Sequence, residues 1–166
     1  MRKIPVLLLS LLVAALFSLG CAQKQVKKEE PKVQSGFGTE MIVKASNEKL
    51  AEMPVKGFSA DSAKLKKEVV KDWVKDILPA VREIISKMPE GYKLQVTGHV
   101  AKPRYSRSKK PVSTMRARAV YRELVKNGVP KDKLTYKGVG YSDPVPDIGI
   151  SDPRQRRVTF KLVPST

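Results

Sequence analysis

The amino-acid sequence predicts a two-layer α/β sandwich with helices on one face of its sheet. Three observations carry that expectation. Apolar residues recur at three- and four-residue steps between Val69 and Met88, as on one side of a helix. Three later runs have the composition and alternation of strands. Strand and helix signals alternate along the chain and then two strands follow one another, the order of a sheet covered from one side.

The first twenty residues stand apart from that domain. Met1-Arg2-Lys3 is a short cationic start, and residues 4–19 are apolar except for Pro5, Ser10 and Ser18. The run is shorter than the about 20 residues of a membrane span and suits the core of a signal peptide. It ends at Ser18-Leu19-Gly20-Cys21, with a small residue directly before the only cysteine. Residues 22–49 read as a flexible tether. Gln23 to Lys32 is polar and charged, and Ser35-Gly36-Phe37-Gly38 offers no periodic apolar face. Such a tether has a root-mean-square reach of about 30 Å. The expected organisation is a leader over 1–20, a tether over 21–49 and one domain over 50–166.

Within the domain, Val69, Val70, Trp73, Val74, Ile77, Leu78, Val81, Ile84, Ile85 and Met88 form the helical stripe. Pro79 lies inside it, so either the helix kinks there or a second helix starts with Pro79 in its first turn. Pro89-Glu90-Gly91 ends the stripe. Tyr92 to Gly98 alternates like a half-buried strand. Ser113 is a candidate N-cap for the next helix, whose core side would be Ala117, Val120, Tyr121 and Leu124 and whose end is marked by Asn127-Gly128. Leu134 to Val139 and Val158 to Val163 read as the last two strands. The segment between them carries Pro144, Pro146 and Pro153 and cannot be a central strand.

Lys and Arg number 33 against 16 Asp and Glu, a net charge of +17; subtracting Arg2 and Lys3 with the leader leaves +15. That surplus favours anionic partners such as lipid headgroups, wall carboxylates and phosphates or other anionic polymers. An exported chain seldom meets chromosomal DNA, so no nucleic-acid partner is expected. Residues 98–117 concentrate the charge, with Lys102, Arg104, Arg107, Lys109 and Lys110 and no acidic residue. The stretch reads either as a solvated loop or as a surface for anions. His99 is the only histidine, and no second His, Cys or paired carboxylate in these stretches completes a metal or catalytic set. Neither an enzyme nor a cofactor nor a metal is expected.

The end of the leader resembles the lipobox of bacterial lipoproteins, in which the cysteine thiol receives diacylglycerol and becomes the new N-terminus. Ser18 and Leu19 stand where the usual pattern has Leu and a small residue, a looseness tolerated in spirochaetes. The resemblance implies lipid attachment at Cys21. With Ala22 rather than Asp after it, the implied anchor is in the outer membrane, with the domain in the periplasm or at the surface.

Five further stretches occur in order: Phe58-Ser59-Ala60-Asp61-Ser62-Ala63-Lys64-Leu65, Val96-Thr97-Gly98-His99, Val112-Ser113-Thr114-Met115-Arg116-Ala117-Arg118-Ala119-Val120, Tyr136-Lys137-Gly138-Val139-Gly140-Tyr141-Ser142-Asp143-Pro144 and Gln155-Arg156-Arg157-Val158. Together they resemble the OmpA-like peptidoglycan-binding domain, and more narrowly the OmpA-like lipoproteins of spirochaetes such as Leptospira. The resemblance implies a β-α-β-α-β-β fold around a mixed sheet, with an opening strand at Phe58 to Leu65. It implies a binding act, not a reaction: the family grips the diaminopimelate side chain of the peptidoglycan stem peptide, which carries an ammonium and a carboxylate.

In the family an Asp after Gly-His-Thr pairs with the ammonium, and the Arg of Leu-Ser-x-x-Arg-Ala pairs with the carboxylate, for which a two-pronged planar donor is suited. Here that Arg is Arg116, whereas Ala101 stands in place of the Asp. The implied binding set is Arg116, with His99 and Arg157 from neighbouring motifs. His99 reads more as a structural residue that hydrogen-bonds within the strand-to-loop turn than as a ligand or base, and Arg156 and Arg157 match a pair that is partly structural. The expected function is a lipid-anchored module that binds peptidoglycan and links the membrane to the wall, weakened by Ala101. The alternative is the same scaffold without wall binding, serving another anionic or protein partner.

Overall fold

Three strands carry the fold: β1 (Tyr92–His99), β2 (Leu134–Gly140) and β3 (Val158–Pro164). The sheet has the order β2-β1-β3, with β1 parallel to β2 and antiparallel to β3. It is the expected mixed sheet. The computed structural model describes residues 36–102 and 110–165, within the compact unit Pro31–Thr166.

Alternation explains the strands. Leu94 and Val96 of β1, Leu134 of β2, and Val158, Phe160 and Leu162 of β3 are buried in one core. Leu94 lies opposite both Leu134 and Leu162, so the register stacks leucines across the sheet. The residues between them, Gln95 and Thr97, Lys137, Thr159 and Lys161, line a groove of about 710 Å³ on the opposite face. The pairing of β1 with β2 slips between Gly98 and His99, and such a bulge re-aims the end of a strand.

A parallel pair needs a crossover. Here it ends in α4 (Lys110–Lys126), which buries Ala117, Val120 and Leu124, with Tyr121 packed at the edge of the core. Its first turns lie almost on the strands. A Cβ at Gly98 would collide with the carbonyl of Ser113, and one at Gly138 with Thr114 and the Ser113 hydroxyl. Ser113 is not the N-cap the sequence indicated: it lies inside α4, fully buried, and its hydroxyl accepts the N–H of Gly140 at 2.9 Å. The other end is as expected. Gly128 takes φ 85°, while its N–H bonds to Val125 and that of Val129 to Leu124, a Schellman closure.

The long apolar stripe is two helices, α2 (Lys67–Asp76) and α3 (Leu78–Ser86), separated by Ile77 with Pro79 in the first turn of α3. Proline has no N–H to give, and in a first turn none is required. Trp73, Leu78, Val81, Ile84 and Met88 are buried.

Two expectations are corrected. The opening strand at Phe58 to Leu65 is absent. The stretch has no strand, and the edge of β3 is met earlier by a single bridge in which Val55 and Val158 exchange both backbone hydrogen bonds at 2.9 Å. The expected tether also ends sooner, because α1 (Phe37–Ala51) occupies most of its second half. Asn47 of this helix accepts the N–H of Leu162 at 2.7 Å and donates to its carbonyl at 3.4 Å. An amide side chain thus stands in for a strand residue along the β3 edge. Lys49 adds an exposed ion pair to Glu83 of α3 at 3.0 Å. Residues 22–35 of the expected tether and Cys21 lie outside the described residues.

Candidate functional site

The site builds up from the buried side of α4. Arg116 directly precedes Ala117 and lies one turn before Val120, so helical spacing turns it into the core. Its side chain is 0% exposed, and its guanidinium lies 5.2 Å from the centre of the Phe58 ring, a cation–π contact. Nε donates to the Ser62 carbonyl at 3.0 Å, Nη1 to that of His99 at 2.9 Å, and Nη2 to those of Ser59 and Ala60 at 2.6 and 3.0 Å.

These acceptors are all neutral backbone oxygens. Burial, followed by the charge of Arg156, pulls the Arg116 pKa down to about 10, and Asp61 opposes that shift. The group remains cationic at neutral pH. Residues 58–62, expected as a strand, instead wrap this cation.

His99 occupies the end of β1 beyond the bulge. Its carbonyl takes the Arg116 donor, and its N–H donates to the carbonyl of Arg157 at 2.9 Å. Its ring is 1% exposed. Nε2 sits 2.9 Å from the Thr159 hydroxyl, and Nδ1 lies 3.6 Å from Asp143 Oδ2 with no hydrogen-bond partner. Burial and the neighbouring Arg157 push its pKa down to about 4, against the pull of Asp143. At neutral pH the ring is uncharged.

Arg157 is 7% exposed. It donates to the Asp143 carbonyl at 3.0 Å and to Gln155 Oε1 at 3.1 Å, and burial lowers its pKa. The structure therefore joins the three sequence-predicted residues at one place, around His99. Each of the three side chains is buried. Ala101, at the strand's exit, is partly exposed, and the next backbone N–H, of Lys102, bonds to Ile150 at 2.9 Å. Arg104, Arg107 and Lys109 lie outside the described residues.

Two participants were not singled out from sequence. Gln155 is 1% exposed and ties down the proline-rich segment: Oε1 accepts the Val145 N–H at 2.8 Å, and Nε2 donates to the Val145 carbonyl at 3.3 Å. The family pattern marked the position but not this duty. The other is the run of carbonyls from Ser59 to Ser62, which no side-chain pattern announces. Chemically, the place offers a buried cation and hydrogen-bond donors. Among the described residues no cluster of three or more His, Cys, Asp or Glu could hold a metal ion, and no helix is long and apolar enough to cross a membrane.

A model of the OmpA family matches residues 57–157. Among solved structures, the OmpA-like domain of FopA1 from Francisella tularensis superposes with a TM-score of 0.51 at 26% identity, covering 67% of this chain and 71% of that one. The C-terminal domain of Helicobacter pylori MotB gives a TM-score of 0.52 at 20% identity, covering 68% and 86%. A putative MotB-like protein from Desulfovibrio vulgaris gives 0.51 at 17%, covering 77% and 96%. At those lower identities the last two likenesses speak for the fold alone. No curated protein matches.

Proposed function

The chain belongs to the OmpA family, and on that premise we propose that its described unit is a peptidoglycan-binding module of the bacterial envelope. The family is one of structural and binding domains, not of enzymes. The observation that carries the proposal is Arg116, a positive charge buried beside the exit of β1, whose donors serve backbone carbonyls and whose charge Asp61 supports. A buried cation so placed favours an anion at the partly exposed turn at Ala101, and a carboxylate of the stem peptide is the anion that the family premise offers. Arg116 is the charge around which the site is built. His99 and Arg157 hold the strand end and the loop beside it.

The finer reading is a module anchored through lipidated Cys21 in the outer membrane, with its domain in the periplasm, in the manner of spirochaetal OmpA-like lipoproteins. The leader ending at Gly20-Cys21 supports the anchor. Ala101 supports weak binding, because no carboxylate meets the ligand ammonium there. A charge-assisted hydrogen bond is worth about 1.5–3 kcal/mol, so affinity should be lower by one to two powers of ten than with Asp at that position. The same residue favours a second reading, a scaffold kept for another anionic or protein partner.

Co-sedimentation of the full chain with purified diaminopimelate-containing sacculi tests the proposal. Binding at low salt that tightens in Ala101→Asp is expected. No pelleting at low salt, with Ala101→Asp unchanged, would transfer the case to the second reading.

A further inference from the structure

We propose that the first two turns of α1 form a membrane-contacting face: with the chain anchored at Cys21, Phe37, Met41 and Ile42 seat in the headgroup region of an anionic bilayer. The inference rests on the anchor reading and goes beyond it, because it adds a second contact made by the folded unit itself.

α1 presents two unlike faces. Val43 packs against the core, Asn47 bonds to the Leu162 backbone and Leu50 is buried, so one side of the helix is turned to β3. At 3.6 residues per turn, Phe37 and Met41 point roughly 110–150° away from that side. They cannot reach the sheet while Leu50 does. Phe37 is 81% exposed, Met41 58% and Ile42 44%. A Cβ added at Gly36 or Gly38 would meet no atom within 4 Å, so no other part of the described unit covers this end. Apolar side chains exposed singly need no explanation, but a cluster of them marks a contact surface.

The surface beside the cluster is layered. Ile42 opens into a cleft of about 350 Å³ shared with Ala45 and Ile84, and Lys49 and Lys87 stand at its edge. Both lysines are about half exposed or more and pair with Glu83 at 3.0 and 2.8 Å. Apolar carbon below and ammonium groups above is the order in which a bilayer surface presents acyl chain and phosphate.

The course of the chain says what covers this face. Phe37 opens α1, and Cys21 precedes it by sixteen residues, a length that spans at most about 55 Å. The apolar end of the folded unit is thus the end nearest the anchor along the chain. Three side chains are too few for a stable protein interface, which takes about 20–30 residues a side. Beside an anchor they suffice, because a short connection sets an effective concentration of about millimolar order. A second copy would bring the same positive surplus and be repelled, whereas an anionic leaflet attracts it.

The test uses the full acylated chain in vesicles of phosphatidylethanolamine and phosphatidylglycerol. In Met41→Cys, with the Cys21 thiol occupied by lipid, a polarity-sensitive fluorophore on residue 41 should shift to shorter wavelength and be quenched by brominated acyl chains. Adding Phe37→Ser should lower the quenched population by about tenfold. Fatty-acid labelling and the melting temperature should not change, since Phe37 stands in solvent. If the chain is acylated yet residue 41 stays in water and unquenched, the contact is overturned and the anchor stands. If the fluorophore is shielded in proportion to protein density and without quenching by lipid, a second copy takes the face and the proposal is equally overturned. If Cys21 carries no fatty acid, anchor and contact fall together.

Discussion

At Arg116 the chain buries a full positive charge and satisfies it with the backbone oxygens of Ser59, Ala60, Ser62 and His99. Arg116→Met keeps most of the volume and leaves those carbonyls without their donor. Buried groups left unsatisfied cost about 1–3 kcal/mol apiece. Because part of the loop can turn to water, a net loss of about 3 kcal/mol is expected, near 10 °C in a thermal melt of a domain this size. An unchanged midpoint would show that the contacts do not hold the loop. His99 supplies a second test. Its pKa falls from 6.5 to about 4 on folding, so between those values the unfolded state binds the additional proton. Stability should therefore decline as pH drops from about 6.5 to 4. His99→Gln, which keeps a partner for Thr159, should flatten that slope in melts taken across the range; equal slopes would contradict the assignment. The motif around Arg116 made its importance legible in the sequence. Its burial was not legible, because a helical arginine is ordinarily solvated and the cage around it is made of backbone, which leaves no residue signature.

The elements were legible where one physical period dominates. The three strands start where the alternation starts, and α4 ends at Asn127-Gly128 as its sequence indicates. Pro79 left a kink and a fresh start equally open, and the structure takes the fresh start. What misled was α1. Phe37, Met41 and Ile42 remain exposed and only Leu50 of the helix is buried, so the helix has no apolar stripe to read. It is attached instead by Asn47, whose amide covers the β3 edge beyond the Val55 bridge. An uncovered edge invites pairing with other chains. Asn47→Ala should cost about 1–3 kcal/mol and increase concentration-dependent association, read by melting and light scattering; wild-type values in both would remove this role from α1. Packing sets a harder limit at Gly138, where a Cβ meets Thr114 and the Ser113 hydroxyl. Gly138→Ala should cost more than Asn47→Ala, since the obstacle includes backbone rather than only a flexible side-chain tip.

At the scale of the molecule, a net charge of +17 gives attraction to any polyanion, and salt screens that attraction over roughly 8–10 Å. Charge alone therefore cannot separate a wall-binding site from a general basic surface. Charge reversal at Arg104 and Arg107 should reduce the salt-sensitive part of binding and leave a remainder at high salt. Membrane attachment is a separate question with its own readout: Cys21→Ala expressed in a lipoprotein-processing host should lose fatty-acid labelling and detergent partitioning, and unchanged labelling would refute the anchor. The central claim is where the wall binds, and backbone amide NMR with a soluble diaminopimelate-containing muropeptide reads that location residue by residue. Shifts confined to residues 59–62 and His99 to Ala101 are expected. Shifts gathered instead on Lys137, Thr159 and Lys161, across the open face of the sheet, or no shifts at all at low salt, would contradict it.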